Sequence, residues 1–412
     1  MSKFMWAAIA AVAFSCAAQA QTPQADALFA QGRFADARKA YAAVSAESPD
    51  YLPALRRQGA IALYENRLDE AERDLLTAFS RDSANKDTAK LLAEIANRQG
   101  NFAKSALWLR RAGNDSRAAA FDVFGYSKPY RIVSSAQEAE VAFLQTDPLP
   151  AVRAGVNGHE GIFLIDTGGG EVVLDPKFAA EAGVKPAGGD KGVFAGGKSA
   201  TVSFGRISRF ALGDLAVADV PAELISTAAF ASIVPGKSVS GVIGVGILSR
   251  FLSTIDYANA RLILAPKDAG PPPGARIATI PFWLLSDHLI VARGRLDNAP
   301  EHPFIVDTGL ANFAFTAPHS SLAEAGIAIP QVTPDKHAAI GTSAASQFPI
   351  SALSLGALKA ANLTGLYGPF PPPLENGLGV HIAGIIAHGF FRPYAITFDF
   401  THMQIIVRKP GT

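Results

Sequence analysis

The pattern of apolar positions changes character once along this chain. From Gln21 to about Gly113 it is helical and Ala-rich; from about Arg131 onward it breaks into short apolar runs separated by Gly and Pro, which is how strands read. The pattern therefore predicts a helical N-terminal region over residues 21–115, a short connector, and a mainly β region with a short helix in each half.

Both regions repeat themselves. In the helical part Gly32-Arg33-Phe34, Asn66-Arg67-Leu68 and Gly100-Asn101-Phe102 recur at one step in the numbering (66 − 32 = 34 and 100 − 66 = 34), and the same step links Tyr41, Leu75 and Leu109. Small residues, Ala37, Ala71 and Ser105, stand where paired helices must approach closely. In the β part Ala180-Glu181-Ala182-Gly183-Val184 returns as Ala323-Glu324-Ala325-Gly326-Ile327, and Leu212-Gly213 returns as Leu355-Gly356. Gly241-Val242-Ile243 returns as Gly384-Ile385-Ile386, and Ile255-Asp256-Tyr257 as Phe398-Asp399-Phe400, all with the same shift (326 − 183 = 143 and 384 − 241 = 143). The constant shift predicts two copies of one β domain, over residues 132–266 and 277–408, each with a helix stopped by a C′ glycine, Gly183 or Gly326. A Pro-rich linker, residues 266–274, joins them. Each copy carries its own apolar strands, so residues from about 130 onward are expected to fold without the helices.

Composition narrows the function classes. The 412 residues are 49% hydrophobic and 18% charged, which is ordinary for a multidomain globular protein. Lys+Arg number 37 against 36 Asp+Glu, so no global charge points to nucleic acid or a membrane surface. Residues 1–20 have the order of a signal peptide: Lys3, an apolar run from Phe4 to Phe14, then Ala18-Gln19-Ala20. The single cysteine, Cys16, lies inside that leader. The expectation is an exported protein, periplasmic or secreted, with no disulfide and no transmembrane segment after leader removal.

The candidate chemistry sits at the strand ends. Phe163-Leu164-Ile165-Asp166-Thr167-Gly168 and Phe304-Ile305-Val306-Asp307-Thr308-Gly309 each end an apolar run on a carboxylate, followed by a glycine that permits a turn. The two aspartates are separated by slightly less than the common shift (307 − 166 = 141), which places two extra residues in the second copy between its aspartate and its helix. Two carboxylates brought to one site cannot both ionise cheaply, so the pair keeps a proton and can act as base and acid at once.

At these residues the sequence resembles the retropepsin-like aspartic peptidases, of the clan of pepsin and retropepsin, in a two-lobed single-chain form. The resemblance covers roughly residues 139–408. It implies that Asp166 and Asp307 activate a water and protonate the leaving amine, that Thr167, Gly168, Thr308 and Gly309 brace the two loops, and that a flap closes over an extended polypeptide substrate. Flap candidates are Phe194 and Gly196 in the first copy and Gly341 and Thr342 in the second. The helical part, from its repeat period, resembles a tetratricopeptide array, a class that offers a concave face to a protein partner. The chain departs from the family in three places. Gly169 and Leu310 stand where the family places Ser, Thr or Ala, Ala387 replaces the glycine that matches Gly244, and neither flap candidate holds a tyrosine.

Other chemistries find no support. The eight histidines form no metal-binding pair, Gly244-Val245-Gly246 fails the dinucleotide pattern, and no Gly-x-Ser-x-Gly elbow is present, so no cofactor or metal is implied. Asp256 and Asp399 are expected to be structural hydrogen-bond acceptors, and Tyr367–Leu374 a rigid exposed loop that rims the cleft at most. Two functions compete: an aspartic endopeptidase using the Asp166/Asp307 pair, and a degenerate relative that holds peptide without cutting it.

Overall fold

The computed structural model of the chain describes residues 22–193, 199–332 and 345–409. The leader and the flap candidates Phe194, Gly196, Gly341 and Thr342 lie outside the described residues.

Seven helices come first: α1 (22–30), α2 (Phe34–Ala42), α3 (Tyr51–Tyr64), α4 (Leu68–Arg81), α5 (Lys86–Arg98), α6 (Phe102–Arg111) and α7 (Asp115–Asp122). Helices α2, α4 and α6 start at the repeating step, on Phe34, Leu68 and Phe102, each after a left-handed residue: Gly32, Asn66 and Gly100 have φ of 66°, 57° and 72°. The next N–H, on Arg33, Arg67 or Asn101, closes at 2.8–2.9 Å on the carbonyl of Leu28, Ala62 or Ala96, so one turn both ends a helix and aims its successor. Only Gly and Asn adopt that φ cheaply, which is why they mark the period. Ala37, Ala71 and Ser105 are fully buried between adjacent helices.

The connector expected over residues 114–131 contains α7. Its N-cap Asn114 accepts the Arg117 N–H at 3.0 Å, and Phe121 stacks 4.6 Å from Phe102. An eight-residue helix is too short to show a period in sequence.

The β region holds β1 (Arg131–Ile132), β2 (Ala139–Ala142), β3 (Ala151–Val156), β4 (His159–Ile165), β5 (Val172–Leu174), α8 (Pro176–Glu181), β6 (Pro186–Val193), β7 (Ser199–Leu212), β8 (Leu215–Leu224), β9 (Gly241–Ile243), α9 (Val245–Leu248), β10 (Leu252–Asp256) and β11 (Arg261–Ala265). It continues with β12 (Ala275–Pro281), β13 (Trp283–Leu285), β14 (Leu289–Leu296), β15 (His302–Val306), β16 (Phe315–Thr316), α10 (His319–Glu324), β17 (Ser346–Leu355), β18 (Leu358–Tyr367), α11 (Pro372–Glu375), β19 (Ile385–Ile386), α12 (His388–Phe391), β20 (Ala395–Asp399) and β21 (Gln404–Lys409).

Two closed sheets follow the same path. The first unit runs β7-β8-β5-β9-β4-β3 and returns to β7; the second runs β17-β18-β16-β19-β15-β14 and returns to β17. In each, the strand that ends at Asp-Thr-Gly pairs in parallel with the strand that precedes Gly244 or Ala387. A third sheet, β12-β21-β20-β10-β11-β2, is built from both halves of the region. At its centre β10 meets β20 antiparallel, and the hydroxyls of Thr254 and Thr397, 143 residues apart, hydrogen-bond at 2.7 Å. Asp256 and Asp399 serve turns here, accepting from Asn259 and Arg261, and from Thr401 and His402.

The helices and the second unit share one apolar layer. Phe29, Phe34, Tyr41 and Tyr64 pack with Leu289, Val291, Ile305 and Ile382 from the β side, and Phe34 meets Trp283 edge-on at 5.1 Å. Arg98 of α5 donates to the carbonyls of Leu284 and Ser286. Burying each of these side chains is worth about 1.5–3 kcal/mol, so the helices are part of the second unit's core. This differs from the expectation of an independent β region, because the contact is made by residues far apart in sequence. The Pro-rich segment differs likewise: Phe370 and Leu374 pack onto this same layer instead of standing free.

Candidate active site

Strands β4 and β15 deliver the two aspartates. Asp166 N–H donates to Ile243 O at 3.1 Å and Asp307 N–H to Ile386 O at 3.0 Å, so each loop leaves its strand pinned to the parallel neighbour. The threonines then lock the loops to each other. Thr167 N–H donates to Thr308 Oγ1 at 3.0 Å and Thr308 N–H to Thr167 Oγ1 at 3.1 Å; the hydroxyls go on to donate to Val306 O and Ile165 O. Both threonines are fully buried, so every one of these groups would otherwise be unpaired.

The lock brings the carboxyl groups of Asp166 and Asp307 within hydrogen-bonding reach of one another, partly open to solvent. Gly168 N–H donates to Asp166 Oδ1 at 2.7 Å and Gly309 N–H to Asp307 Oδ1 at 2.8 Å. The glycines serve approach rather than the turn. Neither has a positive φ, but a Cβ on Gly168 would lie 2.6 Å from Asp307 Oδ1, and one on Gly309 2.5 Å from Asp166 Oδ1. Burial, the neighbouring Asp307 charge and the bond between the carboxyls hold Asp166 well above the usual carboxylate range, against the pull of the Gly168 and Gly169 amides. A pair of this kind keeps one proton to higher pH than either carboxyl would alone.

Behind the loops the two units differ. In the first, Val245 N–H donates to Gly169 O at 2.8 Å and Gly246 N–H to Gly170 O at 2.5 Å. Gly244 has no room for a side chain: a Cβ would fall 2.7 Å from Gly169 O and closer still to Glu171 O. In the second, Gly389 N–H donates to Phe313 O at 3.1 Å and Ala387 N–H to Ala314 O at 2.9 Å, with the Ala387 methyl fully buried. The two extra residues of this loop change its approach to the crossing strand, and the extra carbon fits. His388, in the place of Val245, is also fully buried, and among the described residues neither ring nitrogen has a partner. Burial and the Arg392 charge push it down to about 4.

A charged cluster beside the loop has no counterpart in the sequence reading. Arg117, on α7, lies 3.4 Å from Glu171, 3.5 Å from Glu223 and 3.8 Å from Asp287, and Tyr130 donates to Glu171 at 2.8 Å. Burial opposes the His288 charge, but its partner Asp287 raises it, and a Cβ on Gly170 would touch His288 Nδ1 at 3.5 Å. One helical cation thus ties the first loop, β8 and the β13–β14 turn together. It sits in a segment that reads as a connector, and no local motif announces it.

Residues 152–247 match a family model described as aspartyl protease. The span runs from β3 through α9 and contains Asp166-Thr167-Gly168 and Gly244, so the first unit carries an aspartyl protease domain. No curated protein matches the chain. Among the described residues no helix is long and apolar enough to cross a membrane, and no group of three or more His, Cys, Asp or Glu could hold a metal ion.

Proposed function

We propose that the chain is an exported aspartic endopeptidase, periplasmic or secreted, whose two β units are the paired lobes of one peptidase. The observation that carries this reading is the reciprocal threonine lock between the two Asp-Thr-Gly loops, beside which the Asp166 carboxyl is held above its usual range by burial and by Asp307. An extended polypeptide lies across the pair. The unprotonated carboxylate takes a proton from a water as that water adds to the scissile carbonyl; the protonated carboxyl hydrogen-bonds the carbonyl oxygen. Collapse of the tetrahedral intermediate breaks the C–N bond, the amine leaves with a proton from the pair, and one proton remains shared. Thr167, Gly168, Thr308 and Gly309 hold this geometry. The helices form a tetratricopeptide-like array whose exposed face takes a protein partner. The alternative, a protein that holds peptide without cutting it, is favoured by one feature, Leu310 beside the second aspartate. Mass spectrometry of an unfolded polypeptide incubated with the mature chain separates the two: new termini generated by wild type and absent with Asp166→Asn support the peptidase, whereas intact but retained polypeptide supports the holder.

A further inference from the structure

A cavity of about 190 Å³ lies where the helices, the back of the first Asp-Thr-Gly loop and the linker between the units converge. Its wall carries charges of both signs. Glu171 and Asp287 face it, and both are already met, Glu171 by Tyr130 and Arg117, and Asp287 by His288 and Arg117. Arg250 and Lys267 face it too, and among the described residues neither has a carboxylate within ion-pair distance. Arg250 donates only to the carbonyls of Gly246 and Arg98 and lies 4.1 Å over the ring of Tyr130. The Lys267 ammonium is disfavoured by burial and by Arg250 itself, against a weaker pull from Asp399. Two further polar atoms of lining residues, Asn97 Oδ1 and Arg98 Nε, are buried with no partner among the described residues. The rest of the wall mixes polar Asn66 and Ser249 with apolar Leu68, Leu284, Phe400 and Met403.

We infer that this cavity is a binding site for a small organic carboxylate. An oxyanion placed between Arg250 and Lys267 relieves the repulsion between two neighbouring cations and accepts charge-assisted hydrogen bonds from both. A short apolar chain covers Leu284 and Phe400, which an inorganic anion leaves wet. The cavity is walled by Asn97 and Arg98 from α5 on one side and by Gly170, Glu171 and Gly246 on the other. An occupant therefore joins the helices to the back of the loop that carries Asp166.

Thermal unfolding of the mature full-length chain tests this without reference to any activity, so its outcome is independent of the peptidase reading. Sodium butanoate, acetate, phosphate and chloride are compared at matched ionic strength and pH 7. Butanoate is expected to raise Tm in a saturable way, by about 2 °C at ten times its dissociation constant, and acetate to bind more weakly. Lys267→Met, in the linker between the units, is expected to weaken butanoate at least about tenfold, and Lys267→Arg to restore it to within about threefold. A butanoate effect no larger than that of chloride, an effect that survives Lys267→Met unchanged, or a rise with phosphate alone would each overturn the proposal.

Discussion

The two Asp-Thr-Gly loops reach one geometry from different local sequence. In the first, Gly244 crosses so close behind the loop that no side chain fits, and the neighbouring Val245 is an ordinary core residue. In the second, the loop is two residues longer, Ala387 fits, and His388 is buried with no partner among the described residues. What the units share is the part that touches the other: the threonine lock, and the glycines that clear the opposing carboxylate. Contacts across the pair constrain both sequences at once, whereas each loop's support behind it can drift if loop length compensates. The family match follows the same line, covering the first unit's strands and its Gly244 but stopping before the second aspartate.

The largest expected effect breaks the comparison at the helices. They cover the second unit with an apolar layer, whereas they meet the first unit's loop chiefly through Arg117. Deleting residues 22–125 exposes Leu285, Leu289, Val291, Ile305, Val380 and Ile382, on the order of 10 kcal/mol of lost burial, comparable with the stability of a whole domain. Hydrogen exchange on the truncated chain should show the second unit unprotected; native-like protection there would return the helices to the role of an appendage.

Next comes the glycine behind the loop. Gly244→Ala forces a Cβ onto backbone oxygens and should cost about 3 kcal/mol, whereas Ala387→Gly removes a methyl that has space and should cost about 1 kcal/mol. Denaturant midpoints measure both, and equal losses would refute the claim that loop length compensates for Ala387.

His388 sharpens the same contrast through pH. Its folded pKa, about 4, lies below the ordinary histidine value, so the stability that depends on a neutral ring is fully present above about pH 6.5 and lost as pH falls through 4. The loss amounts to about 3 kcal/mol. His388→Val, which copies the first unit, should abolish that acid sensitivity; identical acid transitions for wild type and variant would show that the ring is solvated before it is charged.

Much of this was legible because repetition is a property of sequence alone. The shorter step marks left-handed turns where only Gly or Asn is cheap, and the longer one reappears in the paired Thr254 and Thr397. The two Asp-Thr-Gly sites, visible as a repeat in the sequence, lie at the ends of β4 and β15, where Thr167 and Thr308 bond each other. Arg117 and the layer around Phe34 were not legible. Each depends on side chains distant in sequence meeting across an interface, and nothing in the local pattern of α7 distinguishes Arg117 from a solvated cation. The role of Gly168 and Gly309 differs from expectation for a similar reason: their constraint comes from the opposite carboxylate, not from their own backbone.

The smallest expected effect concerns the pair's titration. A Cβ on Gly169 would make only ordinary contacts, 3.5 Å from Asp166 O and 3.7 Å from Gly244 Cα, so Gly169→Ser is sterically allowed. A hydroxyl there, or at position 310 in Leu310→Ser, adds a donor to the ionised form. It should move the acid limb of the activity profile downward by about half a pH unit. The wild-type optimum is expected at weakly acidic to neutral pH, since Asp166 is held above the usual range. An optimum near pH 2 to 3, or limbs that do not move, would mean that these neighbours do not set the proton affinity of the pair.

The central claim is that Asp166 and Asp307 act as one unit, and it is tested most directly by a double-mutant cycle on peptide cleavage. The kcat/KM of wild type, Asp166→Asn, Asp307→Asn and the double variant is measured on one unfolded polypeptide, with circular dichroism confirming that all four are folded. Each single variant should lose about a thousandfold or more, and the double variant scarcely more than either, because a shared proton cannot be held by half a pair. Near wild-type turnover in either single variant, or losses that multiply in the double, would contradict the account.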